Sequence, residues 1–342
     1  MPIKVLIVDD SPVAVALVTR IFSSVSDIEV VGSVQNGRDA LELIPVLKPD
    51  VVCTDLHMPV LNGLELTRQI MARFPRPVLV LSVSTGEGSL DAFNMMEAGA
   101  LDVVAKPRIA TDAEFLGIKD ELVAKVRILS GVRVFRKHPK HEDCRGARAP
   151  VANVKAPQVR LVVIGASTGG PQALQVILSR LPVNFPVPVV CVQHISLGFQ
   201  EGLMQWLSGS CALKIKTARE GEIPVPGTVC FPPEGMHLEF HKNGGYLISS
   251  RPPCHGHRPS VSTTMSSAAQ RYADAAAGVL LTGMGDDGAQ GMLELYRAGA
   301  LTIAQDQGSC VVFGMPRQAI ELGAARMILT LEGIASHLVH KL

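Results

Sequence analysis

The chain has 342 residues, 47% of them apolar and 18% charged, with a formal net charge of +1. That length suggests two domains of ordinary size with material for two packed cores. The near-neutral charge argues against a general nucleic-acid or anionic-membrane binder, and one Trp with three Tyr is too little for an aromatic stacking platform. No apolar run approaches the roughly 18 residues that cross a bilayer, and Met1-Pro2-Ile3-Lys4 leads into an apolar strand and an acidic pair, unlike a signal peptide. Seven scattered cysteines without a C-x-x-C pair point to a reducing, cytoplasmic setting.

In chain order, residues 1–130 alternate strand and helix patterns. β-Branched runs stand at Val5–Val8, Val30–Val34, Val51–Thr54, Val78–Leu81 and Leu101–Val104. Helical spacing fills the gaps, as with Leu64, Ile70 and Met71 after Asn62-Gly63. This predicts a parallel sheet with helices on both faces. Residues 131–158 lose the periodicity and are rich in Lys, Arg, His and Pro, which reads as a flexible basic linker. A second α/β pattern fills 159–342. Its strands are expected at Leu161–Ile164, Val187–Val192, Val279–Leu281 and Leu301–Ala304, with helices after Gly170, Gly198, Ser260 and Gly288. Between Lys214 and Ser250, turns at Val225-Pro226-Gly227 and Asn243-Gly244-Gly245 predict antiparallel hairpins inserted at the sheet's edge. The fold class is therefore α/β: two doubly wound parallel-sheet domains, a (βα)5 unit and a larger Rossmann-like one.

Asp9 and Asp10 follow the first strand, Asp55 the third; Ser82 ends the fourth, and Lys106 follows the fifth. All stand at carboxyl ends of parallel strands, where loops converge. Three gathered carboxylates need a cation, and oxygen donors of this kind suit Mg²⁺. Asp55 beside such an ion can accept a phosphoryl group, with Lys106 and the Ser82 hydroxyl holding it. Each residue alone reads as an ordinary surface group; five in order on successive strands do not. Asp9-Asp10, the TDLHMP run around Asp55, Ser82 and Lys106-Pro107 resemble the response-regulator receiver family. The resemblance implies that Asp55 takes phosphate from a histidine kinase. One departure is Val103, where receivers often carry an aromatic switch residue.

The second domain opens with strand, tight turn and helix around Ser167. Gly165, Gly169 and Gly170 permit a sharp turn and close approach, and the helix N-terminus favours negative charge. A serine hydroxyl needs a base to become a nucleophile. The next strand delivers Gln193-His194 to the same edge, and a later one delivers Thr282-Gly283-Met284-Gly285-Asp286-Asp287-Gly288. Hydroxyl, imidazole and carboxylate thus converge by the logic of a Ser-His-Asp triad. Singly, Ser167 reads as a helix cap, His194 as a structural histidine and the acidic run as a loop. Gly165-Ala166-Ser167-Thr168-Gly169 also fits the G-x-S-x-G elbow of α/β-hydrolases, but there the acid precedes the histidine. A dinucleotide site would want glycine at 167 and an acid where Gln193-His194 stand. A phosphorylation-dependent adaptor without catalysis is the alternative from another class. Cys254-His255-Gly256-His257 looks like a metal cluster but lacks a second pair and reads as a loop.

GASTGG at 165–170, VQH at 192–194, HRPSV at 257–261, LTGMGDDG at 281–288, AQD at 304–306 and GMP at 314–316 resemble the catalytic domain of the chemotaxis protein-glutamate methylesterase family (CheB). The resemblance implies nucleophile Ser167, base His194 and acid Asp287, with Asp286 the rival acid. It implies an oxyanion donor in the Met284 backbone N–H, with Thr168 close by, and no esterase cofactor. It implies methyl-accepting chemoreceptors as substrates and deamidation of receptor glutamines. Ile195-Ser196-Leu197-Gly198 stands where the family usually has Met-Pro-Pro-Gly, and Ser262 where an Asp usually follows PSV; both are expected to line the approach to the site.

Overall fold

The computed structural model describes residues 1–82, 87–107, 112–132, 134 and 159–342. The expected linker lies largely outside the described residues. The first unit runs β1 (Ile3–Val8), α1 (Pro12–Ser23), β2 (Ile28–Val34), α2 (Gly37–Leu47), β3 (Val51–Asp55), α3 (Gly63–Arg73), β4 (Val78–Ser82), α4 (Glu87–Ala98), β5 (Asp102–Ala105) and α5 (Asp112–Ser130). Side chains of Ser11, Asn36 and Asn62 accept backbone N–H groups at the starts of α1, α2 and α3, as N-cap chemistry requires. The sheet order is β2-β1-β3-β4-β5, all parallel. The order reverses between β1 and β3, so Asp9, Asp10 and Asp55 lie over the switch point, where open α/β sheets bind ligands.

The second unit runs β6 (Leu161–Ala166), α6 (Gly170–Leu178), β7 (Val189–Gln193), α7 (Gln200–Ser208), β8 (Lys214–Thr217), β9 (Thr228–Phe231), β10 (His237–Phe240), β11 (Tyr246–Ser249), α8 (Val261–Tyr272), β12 (Ala276–Leu280), α9 (Ala289–Arg297), β13 (Leu301–Gln305), α10 (Met315–Glu321), β14 (Met327–Leu329) and α11 (Leu331–Lys341). Its sheet is β14-β13-β12-β6-β7-β9-β8. The order reverses between β12 and β6, which puts Ser167 and the 282–288 loop on either side of a second switch point.

The expectation of edge hairpins between Lys214 and Ser250 needs correction. β8 and β9 join the large sheet in parallel with β7, and only β10 and β11 form an antiparallel pair, outside that sheet. The turn at Val225-Pro226-Gly227 ends a crossover that returns the chain to the same end of the sheet, rather than a hairpin.

The two units share one buried apolar cluster, running from Val52, Phe93 and Val103 to Phe199, Leu203 and Trp206. At its centre α4 packs on α7, with the Phe93 and Trp206 rings stacked at a 5.8 Å centroid distance.

Candidate active site

Strand register brings the candidate nucleophile and base together. Ala166 and Gln193 are partners on adjacent parallel strands, so the next residues, Ser167 and His194, leave the sheet side by side. The His194 N–H donates to the Ala166 carbonyl (2.9 Å). The Ser167 N–H donates to Thr282 (3.0 Å), and Gln193 Nε2 donates to the Ser167 carbonyl (2.8 Å). The loop after β12 comes equally close: a Cβ on Gly283 would lie 2.7 Å from Ser167 Cβ. Glycine is therefore required there by close approach.

His194 Nε2 lies 2.9 Å from Asp287 Oδ2. An ionised carboxylate only accepts, so Nε2 carries the proton and Nδ1 keeps its lone pair. Nδ1 is buried and has no hydrogen-bond partner among the described residues; Ser167, half-buried, lines the same cavity.

Asp287 is 2% exposed and sits at the N-terminus of α8. It accepts from the Val261 N–H (2.7 Å), the Ser262 N–H (2.9 Å), the Ser260 hydroxyl (2.8 Å) and the Gly288 N–H (2.9 Å). Burial opposes its ionisation, but the His194 hydrogen bond and charge, with Ser262, outweigh it and hold the carboxyl well below the usual carboxylate range. A helix N-terminus is a ready-made anion site, here holding a fixed internal anion. Asp286, the rival acid, points elsewhere: it is exposed and pairs with His255 Nδ1 at 3.3 Å. Ser262 does not take the place foreseen for it. Its N–H serves Asp287 and its hydroxyl accepts from the Gly288 N–H (2.7 Å), so it braces the acid rather than lining the approach.

Ser167, Thr168, His194 and Met284 line one cavity of about 620 Å³, with Ile195, Ser196 and Leu197 on its rim. Met284 is half-exposed. The other wall is the first domain: Glu121, Ala124, Lys125 and Ile128 of α5 line the same cavity. A polar clasp spans the two units there. The Thr168 hydroxyl donates to Asp102 Oδ2 (2.7 Å), and Gln172 Nε2 to the Ala100 carbonyl (2.8 Å). Lys125 Nζ donates to Asp102 Oδ1 (2.7 Å) and to the Val103 carbonyl (2.9 Å). The Ser196 hydroxyl bonds Glu121. Burial works against the Lys125 charge, but Asp102 and Glu121 overcome it and raise its pKa. Ser196 thus uses a hydroxyl that a proline at this position would lack.

In the first domain, carboxylate oxygens of Asp9, Asp10 and Asp55 lie within 4.8 Å of one another. Lys106 Nζ bridges Asp9 (2.8 Å) and Asp55 (2.7 Å), and Ser82 is buried at the end of β4. Burial, only partly offset by Lys106, raises the Asp55 carboxyl above its ordinary value; the same two aspartates overcome burial and raise Lys106. Clustered hard oxygens of this kind fit Mg²⁺. The Asp55 carbonyl also lies against the start of α3, where a Cβ on Gly63 would come within 2.0 Å of it.

Sequence reasoning did not single out Asp102, Glu121 or Lys125; it met Ser260 only as the residue before a helix and His257 only in a metal-like run and a family motif. Ser260 carried a usable signal, as a serine cap before the α8 pattern. The 194 and 257 imidazoles stack with centroids 3.8 Å apart and planes 9° from parallel. Of the suspected metal-like run, Cys254 and His257 form a two-way backbone bridge.

A CheB methylesterase family model matches residues 162–338, and a response regulator receiver domain model matches 5–113. The chain is 41% identical, over 99% of its length and 96% of the relative's, to a protein-glutamate methylesterase/protein-glutamine glutaminase of Nitrosospira multiformis. It is 40% identical, over 98% of its length and 95% of the relative's, to a protein of the same name from Symbiobacterium thermophilum. The crystal structure of the Thermotoga maritima CheB methylesterase catalytic domain superposes with a TM-score of 0.52 and 38% identity, covering 54% of this chain and all (100%) of that one. An N-terminal receiver domain and a C-terminal methylesterase domain together make this chain a member of the CheB methylesterase family.

Proposed function

We propose that the chain hydrolyses γ-methyl esters of glutamate on the cytoplasmic helices of methyl-accepting chemoreceptors, with Ser167 as nucleophile, His194 as base and Asp287 as orienting acid. The observation that carries this is the pairing of His194 Nε2 with Asp287 at 2.9 Å, which leaves Nδ1, buried and unpartnered among the described residues, as the acceptor beside the cavity that Ser167 and His194 both line. Ser167 Oγ attacks the ester carbonyl while Nδ1 takes its proton. The Met284 backbone N–H receives the oxyanion, and Thr168 supports the turn beside it. Collapse breaks the C–O bond, and methanol leaves with the proton from Nδ1. Water then adds to the acyl-enzyme, giving its proton to Nδ1; collapse breaks the acyl C–Oγ bond, Ser167 Oγ takes that proton back from Nδ1, and a glutamate product leaves. A glutamine side chain follows the same course with ammonia leaving. Asp287 stays ionised throughout, as its hydrogen-bond donors favour.

The receiver controls this chemistry. Asp55 accepts phosphate from a histidine kinase; Asp9, Asp10 and Asp55 would hold the Mg²⁺ that neutralises charge there, with Ser82 and Lys106 against the phosphate. In the unphosphorylated form α5 walls the cavity and blocks a bulky helical substrate. Phosphorylation shifts the population toward an open form.

The test is methanol release from methylated receptor membranes. Ser167→Ala is expected to lose on the order of 10⁶-fold in kcat and to lose labelling by a serine-directed phosphonate. Retention of most activity by Ser167→Ala would end the triad reading; absence of labelling in the wild type would favour a non-catalytic adaptor.

A further inference from the structure

His257 lies flat on His194, ring centre to ring centre at 3.8 Å and only 9° from parallel. Aromatic pairs left to themselves prefer offset or edge-on arrangements, so the surrounding chain must impose this one. The loop from Pro252 to Ser260 is held at both ends by one buried imidazole. His237 Nδ1 accepts from the Ser260 N–H (3.2 Å), and the Pro252 carbonyl accepts from Nε2 (3.1 Å). These two partners are mutually consistent with a single tautomer. Inside the loop, the Cys254 N–H donates to His257 (3.0 Å) and the His257 N–H returns a bond to Cys254 (2.9 Å). The Arg258 guanidinium donates back to the carbonyls of Ser250 (2.9 Å) and Arg251 (3.2 Å). The loop is built to hold residue 257 in place.

The base has a corresponding need. Asp287 grips His194 at one ring atom, Nε2, and a single hydrogen bond does not fix the plane of the ring. If that plane tilts, Nδ1 swings away from the nucleophile. Groups charged or titratable around His257 are His194, His255, Asp286 and Asp287, with Arg258 next in the chain and Glu121 and Lys125 across the cavity. Burial first, then the neighbouring His194, push the His257 pKa down to about 4. The ring is uncharged near neutrality, so it adds no positive charge beside the base.

We propose that His257 is a positioning residue of the esterase, whose stacked ring fixes the plane of the His194 imidazole and keeps Nδ1 directed at Ser167. This rests on the triad reading above. A flat ring is what the role requires, not a ring nitrogen. The test measures kcat and KM for methanol release by the full-length, phosphodonor-treated protein on methylated receptor membranes. His257→Ala is expected to lower kcat on the order of 10- to 100-fold, the cost of a small misplacement of a reacting group, with little change in KM. His257→Phe is expected to recover most of that loss. Equal losses in the Ala and Phe variants would overturn the proposal, as would an Ala variant with unchanged kcat. Acceptance of phosphate at Asp55 and the circular dichroism spectrum report whether each variant is folded; should the Ala variant fail to fold, the Phe variant alone decides, since a ring-nitrogen role predicts that it is inactive. Ser167→Ala and His194→Gln run alongside: activity in these two would sink the triad itself, whereas their inactivity with an unaffected His257→Ala would sink only the role of His257.

Discussion

The clasp between the domains makes a quantitative prediction through Glu121. Its carboxylate bonds the Ser196 hydroxyl across the interface and pairs with Lys125 at 3.5 Å within α5. Glu121→Ala removes the interdomain bond but leaves Lys125 its shorter contacts to Asp102 and the Val103 carbonyl, so the receiver keeps its own packing. A hydrogen bond to a charged group contributes about 1.5–3 kcal/mol. The Glu121 side chain is 31% exposed, so screening reduces that to about 1–2 kcal/mol. The closed form is then weakened about 5- to 30-fold relative to the open one. Methanol release from receptor membranes by the unphosphorylated variant should rise by that factor, up to the ceiling set by the phosphorylated protein. The phosphorylated rate itself should not move, because the proposed open form takes Glu121 away from the site. An unphosphorylated rate within about two-fold of wild type, the scatter of an ordinary surface substitution, would refute the clasp as a restraint.

Three further outcomes follow from the geometry. Asp287→Asn should lower kcat on the order of 10³- to 10⁴-fold with the fold intact, since it offers His194 Nε2 a group that no longer fixes the tautomer; steady-state methanol release checks this. His257 is protonated near pH 6.5 when unfolded and near 4 when folded, so the unfolded chain binds more protons between those values. The stability it contributes is complete above pH 6.5 and is lost as pH falls toward 4; thermal melts should fall more steeply over that window in wild type than in His257→Phe. Asp287, depressed below the usual carboxylate range, adds a loss of stability only at still lower pH, below about 4. Finally, chelation of Mg²⁺ should abolish stimulation by a small phosphodonor while leaving the unstimulated methanol release in place; loss of both would show that the ion also serves the esterase.

What could be read in advance was whatever the strand ends dictate. Asp55, Ser167 and His194 stand at, or one residue past, the carboxyl ends of parallel strands, and Asp287 lies in the loop that follows another; local periodicity is enough to find such places. The β8–β9 crossover was misread because Val225-Pro226-Gly227 serves a returning crossover as well as a hairpin; turn residues fix the local backbone, not the partner strand. The brace at Asp287 was half visible: Ser260 is a cap by type, but that its helix would aim at a carboxylate 27 residues onward is a tertiary fact. The clasp was invisible for the same reason, since Asp102 and Thr168 are 66 positions apart and each is unremarkable among its neighbours. His257 was visible only as part of a metal-like run and of a family motif, neither of which says that it lies against another ring.

The cluster shared by Phe93, Val103, Phe199, Leu203 and Trp206 has a calorimetric consequence. Were activation only a matter of loosening polar contacts, it would leave little trace in heat capacity. The proposed open form, if it parts α4 from α7, instead wets apolar area that is dry at rest, and wetted apolar area raises heat capacity. Acquisition of phosphate by this protein should therefore carry a positive heat-capacity increment, larger than that of its receiver alone, and the balance between resting and active forms should tilt toward the active one in the cold, where the tendency of apolar surfaces to hide from water weakens.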